Sequence, residues 1–371
     1  MTPVPFLDLK AQFAEVGAEI TAALADVAAS ANYVLGPRVA AFEEAFARFT
    51  GARHCIAVNS GTSALHLALL AAGVGPGDEV IAPAMTFVAT TWAIRYVGAT
   101  PVLADVLPDN YTLDPEQVQR KITPRTKAIL PVHLYGQPAE LNELLDIAKR
   151  HDATLIEDAA QAHAAMYHGR HAGTFGQSGC FSFYPGKNLG AYGEGGAVIT
   201  SDDACASRMR ALRDHAQSQR YHHDELGFNY RMDAFQGAVL EIKLKRLAAW
   251  TAARRRLAAR YIELLADLPL TLPMTSGHRE HAWHLFVVLH PERDRLREAL
   301  AARGIQTGLH YPVPVHLQGA FRDLGHQPGD FPVAERIANE CLSLPMFPEM
   351  TNEQQDAVVA ALQDAIQGVN S

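Results

Sequence analysis

The chain has 371 residues, a formal net charge of −8, 48% hydrophobic residues and 19% charged residues. This composition indicates a globular protein rather than a disordered one, long enough for a large domain and a smaller one. Because there is no excess of Lys and Arg, a protein that binds nucleic acid through its phosphates is disfavoured. The four cysteines are scattered and form no CxxC pair, which argues against a zinc ribbon and a disulfide-stapled secreted domain.

The N-terminal residues and the hydropathy pattern indicate the cellular compartment in which the protein is expected. The first residues show no basic region followed by an apolar run, so no signal peptide is expected. No run of about 18 uninterrupted apolar residues is present, which predicts no membrane span. We therefore expect a cytoplasmic protein with neither a membrane nor a nucleic acid as partner.

In the first 200 residues, short β-rich runs alternate with amphipathic segments. Ala64–Ala72 and Ala139–His151 have apolar residues at helical spacing, and Asp114, Pro115 and Glu116 are typical of a helix start. Such alternation predicts an α/β fold with a mostly parallel seven-stranded sheet flanked by helices. The seven predicted strands are Cys55–Asn59, Glu79–Pro83, Pro101–Asp105, Ala128–Leu134, Thr154–Glu157, Gly179–Tyr184 and Gly196–Thr200.

The pattern changes in the last third of the chain. Gln236–Leu268 reads as one long helix that ends before Pro269. A strand then follows, together with three helices, and this mixture predicts a smaller C-terminal α/β domain. We expect residues 1–245 to form an N-terminal arm and the large domain, and residues 246–371 to form the smaller one. The predicted elements are His284–His290, Glu292–Arg303, Pro332–Cys341 and Asn352–Gln367.

A single lysine, Lys187, lies among glycines, aromatic residues and turn-forming residues between two predicted strands. The segment is not a phosphate-binding P-loop, because Phe181 and Asn188 occupy positions that this motif gives to glycine and to serine or threonine. A lysine held in a low-dielectric pocket loses its proton readily and attacks a carbonyl group. On the local sequence alone, a solvated lysine in a tight hairpin is the alternative.

Asp158 stands at the C-terminal end of a predicted buried strand, followed by Gln161 and His163. Ligands of open α/β sheets bind at the carboxyl ends of strands, so this position suits a cofactor contact. Taken alone, Asp158 could equally cap the segment that follows. Paired with Lys187, it indicates pyridoxal phosphate (PLP), which uses a lysine Schiff base and an aspartate at its ring nitrogen.

A third motif, Asn59–Ser63, follows a strand and opens a helix. The N–H groups of a helix start, together with hydroxyls and a glycine, form a cradle for phosphate. Ser and Thr also cap many helices that bind nothing, so this motif is weak by itself. The three motifs together supply a phosphate site, a partner for the ring nitrogen and a reactive lysine.

These motifs resemble those of the DegT/DnrJ/StrS family of nucleotide-sugar aminotransferases. The resemblance runs from Val4 to Pro348, nearly the whole chain. It implies a fold-type I PLP enzyme that works as a homodimer, with each active site built from both subunits. The most specific motifs are Gly61–Leu65, Asp158–His163, Phe183–Gly196 and Gly227–Asp233.

The resemblance also assigns roles at the cofactor ring. Lys187 is expected to form the Schiff base and to shuttle protons, and Asp158 to keep the pyridine nitrogen protonated. Gln161 is expected to bond to the phenolic oxygen and Phe87 to stack on the ring, although Phe87 also fits ordinary core packing. Relatives with histidine in place of Lys187 dehydrate sugars, so the lysine implies amination.

The phosphate would be held by Ser182 and by the turn of Gly61, Thr62 and Ser63. Asn229 would reach the phosphate of the cofactor in the other subunit. By family analogy, L-glutamate donates the amino group, Lys187 moves the α-proton, and a nucleotide-linked ketosugar then accepts the amine in a ping-pong sequence.

Substrate contacts are expected in two loops. Arg220, Tyr221 and His222 could meet a diphosphate, although a solvated loop is the plain alternative. A metal site there is rejected because spacing supplies no third ligand. Tyr311 and His316 lie in a loop that resembles the small-domain loop facing the active site in this family.

The position of amination is the least determined feature. The motifs around Gln161 and Tyr221 favour a 3-keto-6-deoxyhexose, with dTDP as the nucleotide by family analogy. A C4-aminotransferase and a cyclitol aminotransferase are alternatives. A non-enzymatic PLP-binding regulator is disfavoured, because a DNA-binding extension or a lost lysine would be expected and neither is seen.

Overall fold

The computed structural model describes residues 3–219 and 221–369. Eleven α-helices lie within these residues. They are α1 (Leu9–Ser30), α2 (Gly36–Thr50), α3 (Gly61–Ala71), α4 (Ala89–Tyr96), α5 (Pro115–Lys121), α6 (Leu141–Arg150), α7 (Asp203–Arg213), α8 (Ala234–Leu264), α9 (Arg293–Ala302), α10 (Pro332–Glu340) and α11 (Asn352–Val369).

Fourteen β-strands lie in the same part of the chain. They are β1 (His54–Val58), β2 (Glu79–Pro83), β3 (Thr100–Ala104), β4 (Thr126–Ile129), β5 (Thr154–Asp158), β6 (Met166–Tyr167), β7 (Arg170–His171), β8 (Ser178–Ser182), β9 (Gly196–Thr200), β10 (Gln217–Gln219), β11 (His222–His223), β12 (Arg279–Glu280), β13 (Phe286–Leu289) and β14 (Cys341–Leu344).

Seven strands form the central sheet in the order β1-β9-β8-β5-β4-β2-β3. All neighbouring pairs are parallel except the two that involve β9, which runs antiparallel to both β1 and β8. The predicted mostly parallel, seven-stranded sheet is therefore confirmed. The parallel strands β5 and β8 bring their carboxyl ends, Asp158 and Ser182, to the same edge of the sheet.

Both faces of this sheet are covered by helices, which explains why its strands are almost continuously buried. Helix α3 is buried along nearly its whole length, in agreement with its apolar sequence. Its N-cap is Ser60, whose Oγ accepts a hydrogen bond from the Ser63 N–H at 3.1 Å. The motif read as a helix start thus begins a helix that packs into the centre of the large unit.

The C-terminal third packs around a second apolar cluster. The antiparallel pair β13–β14 lies against α9, α11 and the second half of α8. The N-terminal arm joins this unit, since Val4 forms a parallel bridge with Ile305. The sequence predicts that the preceding helix continues to Cys341, whereas in the structure α10 ends at Glu340 and β14 begins at Cys341.

Helix α8 packs against α1 and α2 in its first half and against α11 in its second half. It therefore crosses the predicted domain boundary at residues 245–246, and that boundary stays a prediction. In the described residues, no helix combines the length and the hydrophobicity that crossing a membrane requires.

Candidate active site

A cavity of about 750 Å³ opens at the carboxyl edge of the central sheet. Its walls come from the ends of β5 and β8, the start of α3, the arm before α1 and the segments near residues 284, 310 and 345. Most of the residues predicted for the cofactor line this cavity. They are Gly61, Thr62, Phe87, Asp158, Gln161, Ser182 and Lys187, together with the predicted substrate residue Tyr311.

Asp158 places a buried carboxylate on the cavity wall, with 4% of the residue exposed. Its Oδ2 accepts a hydrogen bond from Thr90 Oγ1 at 2.8 Å, and its Oδ1 accepts one from the Ala160 N–H at 3.1 Å. Burial raises the pKa of Asp158, while these two hydrogen bonds and the charges of Lys187 and His133 oppose the shift.

Thr90 belongs to a short relay that orients this carboxylate. Its Oγ1 lies 2.9 Å from Thr86 Oγ1, and both threonines are buried. Because Thr90 gives its single hydroxyl proton to ionised Asp158, Thr86 must donate to Thr90. The two threonines hold Asp158 Oδ2 in place, whereas Oδ1 accepts a hydrogen bond only from the Ala160 N–H among the described residues.

Lys187 lies in the same cavity, in the turn after β8. Its N–H donates to the Tyr184 carbonyl oxygen at 2.8 Å, which holds the turn in place. Burial lowers the pKa of the Lys187 amine to about 8, and the charge of Asp158 acts against this shift. At pH 7 about a tenth of the amine is therefore uncharged, far more than for an ordinary lysine, as a nucleophile and proton carrier requires.

The start of α3 approaches the end of β8 so closely that only glycine fits. A Cβ at Gly61 would lie 2.7 Å from the Ser182 Cβ, and a Cβ at Gly196 would lie 2.3 Å from the Ser60 carbonyl oxygen. The first-turn N–H groups of Gly61 and Thr62 have no partners within the helix. With the Ser182 side chain on the cavity wall, they form an anion-binding corner.

Gln161 connects the cavity to the second unit. Its Oε1 accepts a hydrogen bond from the Tyr135 N–H at 2.6 Å, and its Nε2 donates to Tyr311 Oη at 2.9 Å. The Tyr311 ring lies 5.3 Å from the ring of Phe87, which is 50% exposed. Gln161 and Tyr311, predicted in separate motifs, therefore form one hydrogen-bonded pair.

Residues 14–363 match the model of the DegT/DnrJ/EryC1/StrS aminotransferase family. The chain belongs to this family. The match covers nearly all of the described residues, and it confirms the resemblance read from the sequence.

Two curated relatives show how similar the chain is to known members. The erythromycin biosynthesis sensory transduction protein EryC1 of Saccharopolyspora erythraea is 50% identical over 360 residues, which is 97% of this chain and 98% of that protein. The dTDP-3-amino-3,4,6-trideoxy-alpha-D-glucose transaminase of Streptomyces venezuelae is 48% identical over 362 residues, 97% of this chain and 96% of that protein.

Solved structures of the family have the same fold. The crystal structure of S. venezuelae DesV in complex with a ketimine intermediate has a TM-score of 0.96 at 48% identity and covers 98% of both chains. NtdA of Bacillus subtilis, solved with bound cofactor PMP, has a TM-score of 0.88 at 33% identity and covers 95% of this chain and 82% of that one. The predicted α/β fold and aminotransferase class are confirmed.

Other residues predicted to bind the cofactor or the substrate lie outside the cavity. Asn229 is exposed, and its Oδ1 accepts a hydrogen bond from Arg231 Nε at 3.1 Å. His222 lies in the exposed β10–β11 hairpin, and Tyr221, between these strands, is 77% exposed. Arg220, also expected to contact substrate, lies outside the described residues.

Two further predicted residues also do not reach the cavity. His316 is buried, with its Nε2 3.0 Å from Glu335 Oε1 and its ring against Phe331. The Ser63 hydroxyl donates to Asn59 Oδ1 at 2.7 Å, so this side chain braces the turn of α3. Of the phosphate turn, only the neighbouring Ser60, Gly61 and Thr62 line the cavity.

Several residues that line the cavity are not predicted from the sequence. Thr90 is on α4, whereas Thr86 lies in the loop before this helix, so helical spacing does not pair them in the sequence. Glu194 belongs to the same glycine-rich motif as Lys187. No local signal singles out the cavity residues Phe6, Arg254 and His284, because distant segments bring them there.

Proposed function

We propose that this chain is a PLP-dependent aminotransferase that converts a dTDP-linked 3-keto-6-deoxyhexose to the 3-amino sugar, with L-glutamate as amino donor. The observation that carries the proposal is the cavity that unites Lys187, buried Asp158 and the start of α3. The 48% identity to a dTDP-3-amino-3,4,6-trideoxy-alpha-D-glucose transaminase supports the substrate class.

The residues of the cavity fit the cofactor. No Lys, Arg or His in the described part of the chain forms an ion pair with Asp158, so this buried carboxylate lacks the cation that a protonated ring nitrogen supplies. The corner beside Gly61, which a Cβ would fill, offers N–H groups and the Ser182 hydroxyl to a phosphate. The PMP bound to NtdA is consistent with this fit.

When bound, PLP supplies an electron sink for the carbon that loses a proton. Lys187 would hold the cofactor through its Nζ, and after the donor displaces it, the free Nζ would take the α-proton of the donor. Asp158 would stabilise a positive charge on the ring nitrogen. The Thr86–Thr90 relay holds the carboxylate in one orientation, so its charge does not have to reorganise during the reaction.

We further propose that the enzyme is a homodimer with shared active sites. Asn229 belongs to a family motif, and Tyr221 and His222 lie in the loop before it; all three are exposed and do not line the cavity of their own subunit. Large apolar side chains are exposed near them, including Leu226 at 90% and Tyr96 at 54%. A second subunit would cover these side chains and bring the polar ones to its neighbour's cavity.

The test is a product assay with a panel of nucleotide ketosugars and L-glutamate. Incubation of dTDP-3-keto-6-deoxyhexose should yield the 3-amino sugar, with the position read by NMR from the carbon that bears nitrogen. Lys187→Ala protein serves as the matched control and should form no product. A 4-amino product, or an amine formed only from a cyclitol ketone, would replace the proposed substrate with one of its alternatives.

The EryC1 relative carries the name of a sensory transduction protein, so the assay should also address a regulator. A regulator would bind PLP and form no amine from any ketone of the panel. Amine formation that depends on Lys187 would exclude a purely non-enzymatic role.

A further inference from the structure

Arg254, on helix α8, is a buried arginine on the cavity wall. The residue is 3% exposed and lines the cavity that contains Lys187. Its Nη1 donates to the carbonyl oxygens of Trp283 and His284 at 3.2 Å each and to that of Met346 at 3.0 Å. These bonds fix the guanidinium between two segments of the second unit that themselves line the cavity.

The other donors of this guanidinium are not used within the chain. Nε and Nη2 carry three of its five N–H groups, and neither nitrogen forms a hydrogen bond to a residue that the structure describes. No described carboxylate forms an ion pair with Arg254, and Glu349 acts on it only from a longer distance. A buried cation without an anion is unfavourable, so these free donors point to an anion that the chain does not itself supply.

One segment connects Arg254 to the turn of Lys187. Asn188, the residue after Lys187, donates from its Nδ2 to the Ala282 carbonyl oxygen at 2.8 Å, and its Oδ1 lies 3.3 Å from His284 Nδ1. Arg254 binds the carbonyl oxygen of the same histidine. The lysine turn and the guanidinium therefore both contact His284, which places the free donors on the wall beside the reactive amine.

Arg254 is also the permanent cation among the described residues that line the cavity. Lys187 loses its charge more readily and, in the proposed function, is linked to the cofactor. Burial lowers the pKa of His284 well below its ordinary value and that of His310 to about 4, so both rings are uncharged at pH 7. Burial lowers the pKa of Arg254 only to about 10, which leaves its charge intact at that pH.

We propose that Arg254 binds a carboxylate of the amino donor through its Nε and Nη2 donors. The proposal rests on the proposed function, in which L-glutamate brings two carboxylates to a cavity whose wall already carries the Asp158 carboxylate. Two parallel N–H donors of a guanidinium match the two oxygens of a carboxylate. The proposed sugar carries no carboxylate, so Arg254 contributes to the half-reaction with the donor and not to the half-reaction with the sugar.

The first experiment uses glutarate, which carries both carboxylates of glutamate but no amine and therefore cannot react. Isothermal titration calorimetry measures its affinity for the PLP-loaded protein. Arg254→Gln removes the charge and should weaken glutarate binding about tenfold or more. Arg255→Gln is the matched control and should change the affinity less than about twofold. Arg255 also bonds to carbonyl oxygens, but it pairs with Glu280 and does not line the cavity.

The second experiment separates a lost carboxylate contact from a general distortion, since Arg254 also holds three carbonyl oxygens. The PLP-loaded protein is mixed in turn with L-glutamate and with the 3-amino sugar, and cofactor absorbance gives the second-order rate constant of each half-reaction. Both reactions need Lys187, but only glutamate carries a carboxylate. In Arg254→Gln, the rate constant for glutamate should fall at least about tenfold more than that for the amino sugar.

Equal losses in the two half-reactions, or an unchanged glutarate affinity in Arg254→Gln, would overturn the proposal. If Arg254→Gln does not fold, Arg254→Lys keeps the charge but loses the paired donors, and it should still weaken glutarate binding about threefold or more. Absence of glutarate binding to the unmodified protein would also overturn it. The titration needs no turnover, so a protein that binds glutarate through Arg254 but aminates no ketone would contradict the proposed function alone.

Discussion

The inner wall of the cavity and the outer segment that contains β10, β11 and Asn229 differ in how completely one chain builds them. On the inner wall, Asp158 is 4% exposed and both its oxygens accept hydrogen bonds. In the outer segment, Tyr221 is 77% exposed and Leu226 is 90% exposed. Both regions contain sequence motifs by which the chain resembles its family.

The difference follows from burial. Side chains at the carboxyl ends of β5 and β8 are enclosed by helices of their own chain, so their orientation is fixed before any ligand arrives. The outer segment presents polar and apolar side chains to the surface, outside the cavity of its own chain. We infer that the inner wall is complete in one subunit and that the outer segment completes the site of another.

The largest expected effect tests the centre of the inner wall. Lys187→Ala should lower turnover by at least about 10³-fold, because the nucleophile and the proton carrier are lost together. The cofactor should still bind through the α3 start. In the unmodified protein, borohydride reduction followed by peptide mass spectrometry should place the reduced cofactor on Lys187.

Lys243 is the internal control for this measurement. It is also buried, with a pKa lowered to about 8, but its Nζ donates to the Gly190 carbonyl oxygen at 2.6 Å and it does not line the cavity. The label should be absent from Lys243. Label on Lys243 and none on Lys187 would refute the assignment.

Asp158→Asn should have the next largest effect. The amide preserves the shape but not the charge that stabilises a protonated ring nitrogen, so we expect the half-reaction with glutamate to slow about 100-fold or more. Cofactor affinity should change far less, since the phosphate corner is intact. Stopped-flow absorbance of the cofactor measures the rate of the half-reaction and the affinity for the cofactor. A loss of only a few-fold would mean that another group holds the ring nitrogen.

Thr90→Val removes one hydrogen bond to Asp158 and tests whether its orientation matters. Hydrogen bonds to charged groups contribute about 1.5–3 kcal/mol, so the half-reaction should slow about tenfold or more. Loss of the donor raises the pKa of Asp158 further, so the defect should grow as the pH falls. A pH–rate profile of the half-reaction measures this trend.

Thr91→Val is the matched control, because Thr91 is buried next to Thr90 and its hydroxyl has no hydrogen-bond partner among the described residues. It should leave both the rate and the pH profile unchanged. Equal defects in the two variants would mean that local packing rather than the Asp158 contact is responsible.

The outer segment should show a smaller effect that depends on protein concentration. If Asn229 holds the phosphate of the other subunit, Asn229→Ala should lose cofactor on dilution, since the cofactor and the dimer then stabilise each other. Gel filtration with cofactor absorbance measures this loss.

Complementation makes the same test stricter. A heterodimer of Lys187→Ala and Asn229→Ala chains should regain activity at one of its two sites if Asn229 acts across the interface. If Asn229 acts within its own chain, every site keeps one defect and no activity returns. Absence of recovery in heterodimers confirmed by native mass spectrometry would contradict a shared site.

His316→Ala should have the smallest effect on catalysis. The ring is buried against Phe331 and bonded to Glu335, outside the cavity, so the KM for the sugar should change less than about twofold. Urea denaturation should show a loss of about 1–3 kcal/mol in the free energy of unfolding. Tyr311→Phe is the contrasting variant. Because Tyr311 lines the cavity, this substitution should raise the KM for the sugar.

The sequence by itself determined the features that local chemistry controls. Alternating periodicities predicted the seven strands, and the Asn59–Ser63 motif predicted a helix start after β1. The end of a predicted strand placed Asp158 at a ligand-binding edge, and the chemistry of a lysine with an aspartate paired it with Lys187. These inferences needed no knowledge of how distant segments pack.

Only the tertiary structure decided contacts between residues far apart in the chain. Thr90 meets Asp158 across 68 positions, and His284 meets Asn188 across 96, with no spacing rule to indicate either pair. The same packing buries His316 and exposes Asn229, although both belong to motifs. The physical reason is that local patterns fix which backbone conformation a segment adopts, whereas burial and hydrogen-bond partners depend on which segments the whole fold brings together.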